Sequence, residues 1–230
     1  MPDKPYIKKL ETVEGFEVWQ VDGEYIRDKM DREFTNFGQH YNFRFVPMHE
    51  FWIDKQFEND ETGFFVDHMI LEWNLMKEGK SYDEALEKAD RLEKKERATS
   101  KLCLKAKKGI NKSSKELSKG IHIKKLMELK GVEVWVVNSE LVRDLYFIDF
   151  TEGGHHFVYS FVPKNEVWID NDLKPSEMEF VLLHELHERN LMAKGMGYFP
   201  AHRSSSIIEY KCRSNPELLK ECLDAEVEII

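Results

Sequence analysis

Hydrophobic and polar residues alternate along several short stretches of the chain and recur at helical spacing along others. EVWQV (17–21) and EVWVV (133–137) carry β-branched and aromatic residues in the alternation typical of a half-buried strand. Further strands are expected near YNFRFVP with EFWID, and near FVYSFVP with EVWID. Helices are predicted over roughly 61–78, 82–98, 176–194, 198–214 and, at the C-terminus, 216–226.

Several residues at the predicted helix ends are of the types that cap helices. Ser81-x-x-Glu84 and Ser176-x-x-Glu179 each spell a capping box. Gly195 stands where a C′ glycine belongs, and Asn215-Pro216 is typical of an N-cap followed by the first helical residue. These residues predict where the helices at 82–98, 176–194 and 216–226 begin or end.

The pattern occurs twice, because the sequence aligns with itself at a shift of 116 residues without a gap. GFEVWQVDGEYIRD (15–28) matches GVEVWVVNSELVRD (131–144), and HMILEWNLMKEG (68–79) matches HELHERNLMAKG (184–195). About 36 of some 93 aligned positions are identical. We infer an internal duplication, which is the first feature to look for in a sequence because it sets the domain organisation.

The duplication predicts three regions: a first repeat over residues 1–99, a Lys-rich linker over 100–122, and a second repeat with the C-terminal helix over 123–230. We expect an α+β fold in which each repeat is a small antiparallel sheet followed by two helices on one face. A unit of this size buries little surface by itself, so pseudo-two-fold packing of the repeats is expected. Two separate units on the linker are the alternative.

The charge, hydrophobic runs and cysteine content of the chain limit the functions and compartments that we expect. The net charge of −9 argues against general affinity for nucleic acid, and the linker has lysines without interleaved aromatic residues. No apolar run is long enough to span a membrane, and no secretory signal is recognisable. Three cysteines without a CxxC pair favour the reducing cytoplasm. A protein partner is compatible with these features.

The second repeat contains a candidate metal site in His184-Glu185-Leu186-His187-Glu188. Residues 184 and 188 lie one helical turn apart, so an imidazole and a carboxylate can reach one divalent cation. Glu185 can then take a proton from a water molecule activated by the metal. Zinc is the expected ion, with manganese or iron as alternatives because one ligand is a carboxylate.

A third ligand is expected from outside this helix. His202 and Glu209 lie about two turns apart on one side of the following helix, and His156 lies in a glycine-containing turn. The first repeat keeps the counterparts of His156, His184, Glu188 and Glu209. It has Met69 for Glu185 and Leu86 for His202, so we expect it to be catalytically silent.

The HExxE spelling resembles the HExxH helix of the zincin metallopeptidases, over less than a tenth of the chain. The resemblance implies a metal-dependent hydrolase of peptide or amide bonds, and it adds weight to Glu209 because some zincins use a downstream glutamate as third ligand. Glu188 departs from the pattern, since zincins have a histidine there.

One other interpretation follows from the same residues. The histidines, glutamates and arginines kept in both repeats are also what a buried hydrogen-bonded network leaves behind, and Glu209 can pair with Arg213 at i,i+4 spacing. The protein is then a non-catalytic structural or interaction module with at most a structural metal. A serine or cysteine hydrolase is not expected, because Ser204–Ser206 lacks the context of a nucleophile elbow.

Overall fold

The computed structural model describes residues 5–57, 61–107 and 120–230. The chain forms two compact units: Met1–Lys108 with Arg143–Ile148, and Gly109–Val142 with Asp149–Ile230. Most of the predicted linker, residues 108–119, lies outside the described residues. Its first part continues as a separate short helix after the break at Ala98–Ser100.

The two repeats have the same order of elements. The first contains β1 (Tyr6–Val13), β2 (Phe16–Val21), α1 (Gly23–Lys29), β3 (Phe37–Gln39), β4 (Glu50–Asp54), α2 (Thr62–Lys77), α3 (Tyr82–Arg97) and α4 (Lys101–Lys107). The second contains β5 (His122–Leu129), β6 (Val132–Val137), α5 (Ser139–Leu145), β7 (Gly153–His155), β8 (Glu166–Asp170), α6 (Met178–Ala193), α7 (Tyr198–Ser214), a 3₁₀ turn (Pro216–Leu218) and α8 (Leu219–Ile229).

The α+β class with two similar halves is confirmed, and the sheets differ from the prediction in one respect. Each has four strands, in the orders β1-β2-β4-β3 and β5-β6-β8-β7. The central pair of each sheet, β2 with β4 and β6 with β8, is parallel. The sheets are therefore mixed rather than purely antiparallel, because the chain returns through α1 or α5 and a long connection before it enters the central strand.

The strands predicted at 41–47 and 157–163 are wrong. In these segments the backbone forms turns, in which the amides of Asn42 and Phe43 donate to the carbonyl of Gln39. Val158 and Tyr159 donate to the carbonyl of His155 in the same way. The strands lie just before, at β3 and β7, in residues expected to be a turn.

The hydrophobic core of each unit follows the alternation along its central strands. Phe51 and Ile53 of β4 pack against α2, while Trp52 packs on the opposite face. In the second unit Val167 and Ile169 of β8 pack against α6. The first long helix of each repeat covers the sheet, and the second packs mainly on the first helix rather than on the sheet.

The helix ends confirm some of the predicted caps. The Ser81 hydroxyl accepts from the Glu84 amide, whereas α6 begins after Glu177 without a side-chain cap, so the predicted cap at Ser176 is wrong. Gly195 has a φ of 91°, as a C′ glycine requires. None of the described helices is long and apolar enough to cross a bilayer.

Candidate metal centre

Three elements of the second unit meet at the residues that the sequence singled out. Helix α6 carries His184 and Glu188 one turn apart, and α7 packs along it and contributes His202 from its first turns. The edge strand β7 lies against the same helix. A Cβ atom on Gly153 would come 3.2 Å from the Cγ atom of Glu185, so the glycine permits the close approach of strand and helix.

Ligand atoms of His184, Glu188 and His202 converge on one point. The Nδ1 atom of His202 lies 3.1 Å from Nε2 of His184 and 3.0 Å from Oε2 of Glu188, and the third side of the triangle is 3.9 Å. A tetrahedral zinc ion with bonds of about 2.05 Å holds its ligand atoms about 3.3 Å apart. The three separations bracket this value, so the residues fit the geometry of the ion.

Glu209 lies behind this triangle rather than within it. Its Oε2 atom is 2.7 Å from Nδ1 of His184, while Arg213 donates to Oε1 at 2.8 Å and also bonds Glu177. A carboxylate bound to Nδ1 leaves the Nε2 lone pair of His184 directed at the triangle, an arrangement common among metal-bound histidines. The i,i+4 pair of Glu209 with Arg213 is confirmed.

Glu188 is held as a carboxylate although only 3% of its side chain is exposed. Burial by itself raises the pKa of this group. The close approach of the His155 ring and the hydrogen bond from His202 outweigh burial and lower the pKa to about 2. An ionised carboxylate among imidazoles is a suitable ligand for a divalent cation.

The neighbouring carboxyl group, Glu185, has the opposite electrostatics. It is buried, and burial together with the negative charges of Glu188, Glu209 and Glu152 raises its pKa well above the usual range. Glu185 therefore binds a proton more firmly than an exposed glutamate does. Two adjacent carboxyl groups whose pKa values are driven apart are typical of a site with separate acid–base and charge-binding roles.

His155 is the residue of this site that the sequence analysis did not propose as a ligand. It is fully buried on β7, and its Nε2 atom lies 3.2 Å from Oε1 of Glu188 without the geometry of a hydrogen bond. With Glu185 and Glu188 it makes a second group of convergent ligand atoms. However, its Nδ1 atom accepts the Phe157 amide at 3.3 Å, so the neutral ring carries its proton on Nε2 and acts as a donor.

His156, which the sequence analysis proposed, belongs to neither group of convergent ligand atoms among the described residues. Its ring packs on Phe157, with centroids 4.0 Å apart. Burial and the positive charges of Arg189 and Lys164 lower its pKa. The structure thus brings His184, Glu188 and His202 together, places Glu185 beside them and Glu209 behind them, and leaves His156 to one side.

Two tyrosines complete the surroundings. The Tyr198 ring stacks on His202 at 5.3 Å between centroids. The pKa of Tyr159 is raised by burial and by the nearby charge of Glu185, so it remains a neutral phenol. The first repeat has Phe43 at the position of Tyr159, so comparison of the repeats could have pointed to this residue.

The first repeat builds the corresponding cluster from its own charges. His68 Nδ1 lies 2.8 Å from Glu93, and its Nε2 atom lies 3.3 Å from Glu72. Burial lowers the pKa of His68, but the two carboxylates outweigh it and raise the pKa to about 9. The Gln39 amide, in the place of His155, donates to the other Glu72 oxygen at 2.7 Å. An imidazolium therefore occupies the centre of this cluster.

Comparison of the chain with protein-family models, with curated proteins and with solved structures gave no match.

Proposed function

We propose that the second repeat is a metal-dependent hydrolase that acts on peptide or amide bonds. The observation that carries the proposal is the triangle of His184, Glu188 and His202, whose edges fit a tetrahedral cation, with a buried carboxyl group beside it. A catalytic site needs three protein ligands and one open position. These three residues supply the ligands.

Zinc suits two imidazoles and one carboxylate, and the carboxylate also admits manganese or iron. Of the three proposed ligands His202 is the most exposed, with 36% of its side chain accessible, whereas Glu188 is buried. The cytoplasm is the compartment proposed, in keeping with the three free thiols of Cys103, Cys212 and Cys222.

A bound divalent cation would supply Lewis acidity, polarising a water molecule and the substrate carbonyl. Glu185 takes the proton released by the attacking water and passes it to the leaving amine nitrogen, as a general base and then a general acid. The raised pKa of Glu185 makes its carboxylate a stronger base than that of an exposed glutamate. Glu209 holds the His184 ring in place, and His155 donates toward Glu188.

The metal is tested by elemental analysis and by zinc titration of the purified chain. We expect one equivalent of metal in the wild type and a loss of affinity of at least about 100-fold in His202→Leu, which installs the residue of the first repeat. His156→Asn is the matched control, because it removes a nearby histidine that lies outside the triangle. Equal metal binding by the wild type and His202→Leu would contradict the site.

Catalysis is tested separately with Glu185→Gln. This variant keeps all three ligands, so it should bind metal as the wild type does and lose about 100-fold or more of the rate of peptide hydrolysis. Activity equal to the wild type would remove Glu185 from its role. The readout is cleavage of a mixture of unstructured peptides, followed by mass spectrometry.

A non-catalytic scaffold is the second candidate, and one observation favours it. The first repeat closes the same cluster with an imidazolium and an arginine, and the bonds of His184 to Glu209 and of Glu209 to Arg213 repeat that arrangement. A metal-free wild type that folds normally, and whose stability is not raised by any divalent cation, would favour the scaffold.

A further inference from the structure

A second chain of hydrogen bonds extends from helix α6 toward α8, through a residue that the metal centre does not use. The Nδ1 atom of His187 lies 2.7 Å from Oε1 of Glu226, and its Nε2 atom lies 2.9 Å from the hydroxyl oxygen of Ser204. Three elements, α6, α7 and α8, thus contribute one residue each. These are ordinary hydrogen-bond lengths at both ring nitrogens.

The carboxylate of Glu226 determines which ring nitrogen carries the proton. A carboxylate can only accept, so Nδ1 of His187 donates to it and Nε2 is left with its lone pair. The Ser204 hydroxyl must then donate to Nε2. A serine hydroxyl whose proton is directed at a histidine, itself oriented by a carboxylate, is the arrangement that activates serine as a nucleophile.

Glu226 is fixed by further bonds. It is 5% exposed, and the Asn190 amide donates to its Oε2 atom at 2.8 Å and to its backbone carbonyl at 2.9 Å. Burial raises the pKa of Glu226, but the bonds from His187 and Asn190 outweigh it and lower the pKa. The group that orients His187 is therefore an ionised and rigidly held carboxylate.

The two serines that follow provide an internal comparison. Ser205 and Ser206 donate to the carbonyls of Ala201 and His202, four residues back, at 3.0 and 3.1 Å. That is the usual bond of a serine within a helix. Ser204 instead turns its hydroxyl to His187, although it stands in the same helix and the same run of serines.

Two apolar residues beside Ser204 on α7 are exposed to solvent. Ser204 is partly exposed, and the residues one turn before and after it on α7, Pro200 and Ile207, are both exposed. Ile207 has 58% of its surface accessible. The first repeat has Leu71 and Lys88 at the positions of His187 and Ser204, so it lacks the arrangement.

We propose that Ser204, His187 and Glu226 form a nucleophilic site that accepts acyl groups from esters with apolar chains. The Ser204 oxygen attacks the ester carbonyl carbon while its proton passes to Nε2 of His187. The bond from that carbon to the alcohol oxygen then breaks, and His187 gives the proton to the leaving alcohol. Water removes the acyl group from Ser204 by the same two proton transfers.

The test uses the full-length protein, a fluorophosphonate probe and p-nitrophenyl butyrate. We expect the probe to form one adduct, which peptide mass spectrometry should map to Ser204. The adduct should be absent from Ser204→Ala. Ser205→Ala and Ser206→Ala are the matched controls and should be labelled as the wild type is. No adduct on Ser204 in folded wild type, or equal labelling of the other two serines, would overturn the proposal.

The role of His187 is tested through rate and rescue. His187→Ala should slow both labelling and ester hydrolysis by about 100-fold or more, and added imidazole should restore part of the rate because it can occupy the space left by the ring. Glu226 is a positioning residue, so Glu226→Gln should slow hydrolysis by the otherwise unchanged protein. When Glu226→Gln is added to His187→Ala, it should not lower the rate restored by imidazole any further. If His187→Ala is labelled as fast as the wild type, the serine is not activated as proposed.

Removal of metal separates this site from the metal centre. A strong chelator should leave labelling of Ser204 unchanged, and His156→Asn, which lies outside both groups of ligand atoms, should be labelled as the wild type is. Loss of labelling on chelation would overturn the proposal, since the serine would then depend on the metal centre.

Discussion

The two repeats solve the same problem of burying carboxylates in different ways. In the first, His68 is a charged imidazolium between Glu72 and Glu93, and Arg97 completes a closed set of ion pairs. In the second, apolar or amide side chains at equivalent positions are replaced by ionisable or polar ones: Gln39, Phe43, Met69 and Leu86 become His155, Tyr159, Glu185 and His202.

The difference lies in what neutralises the acidic groups. In the first repeat the protonated His68 and Arg97 neutralise the carboxylates of the cluster. The second adds a carboxyl group and two imidazoles, and these form groups of convergent ligand atoms with His184 and Glu188. The comparison teaches that one fold supports either a cluster neutralised by its own cations or a gathering of imidazole and carboxylate groups, with few substitutions.

The largest expected effect comes from the arginine of the closed cluster. Arg97→Ala removes a buried ion-pair partner of Glu61, Glu93 and Asp144, of which Glu61 keeps Arg143, and should destabilise the first unit by about 3–5 kcal/mol. Arg213→Ala, the equivalent in the more exposed second cluster, should cost about 1–3 kcal/mol. Urea denaturation of both variants, with hydrogen exchange to resolve the units, measures the difference; equal losses would contradict it.

Leu86→His tests whether the first repeat is one residue from a metal site. The variant gives this repeat the residue types of the proposed triangle, but a cation must first displace the proton of His68, whose pKa is about 9. At pH 7 we expect binding about 100-fold weaker than at the second repeat, or about 2.7 kcal/mol. Zinc titration should show this second equivalent tighten up to pH 9. A tight second site already at pH 7 would contradict the charged His68.

The charge of His68 also predicts how stability depends on pH. Its pKa is about 6.5 in the unfolded chain and about 9 in the folded one, so its contribution is complete below pH 6.5 and is lost as the pH rises through 9. The first unit should lose about 2.5 kcal/mol between pH 7 and pH 10. His68→Gln should lack this part of the pH dependence. The same loss in both proteins would show that another group is responsible.

The smallest effect concerns the helix caps. Ser81 caps α3, so Ser81→Ala should destabilise the first unit by about 1 kcal/mol. Ser176→Ala should change stability by less than about 0.5 kcal/mol, because no side chain caps α6. Hydrogen exchange of the backbone amides in the first turns of α3 and α6 measures the effect at each helix separately. A larger loss for Ser176→Ala would reverse the comparison.

Helical periodicity was sufficient to predict the long helices, whose observed bounds differ from the predicted ones by only one or two residues. The strands were harder. β1 is an edge strand with two irregularities in its pairing, so its polar residues do not alternate cleanly. β7 is Gly-Gly-His, which favours a turn in isolation, and only pairing with β8 makes it a strand.

The displaced strand explains the main difference at the site. The sequence analysis treats Gly153 to His156 as a turn, in which either histidine can face the helix. In the structure the strand ends at His155 and places this residue beside Glu188. The four-residue spacing of His184 and Glu188 and the placement of His202 depended only on helices, and the structure brings these side chains together. No local pattern predicts Ser204, His187 and Glu226, because they come from three helices and meet only through packing.

The four-residue connection from Lys194 to Gly197 sets the rotation of α7 about its own axis. His202 and Ser204 stand two residues apart on that helix, and each reaches a different histidine of α6. One inserted residue would turn α7 by about 100° and withdraw both side chains together. The length of this loop therefore determines both sets of contacts, and an insertion or deletion in it would disrupt both together.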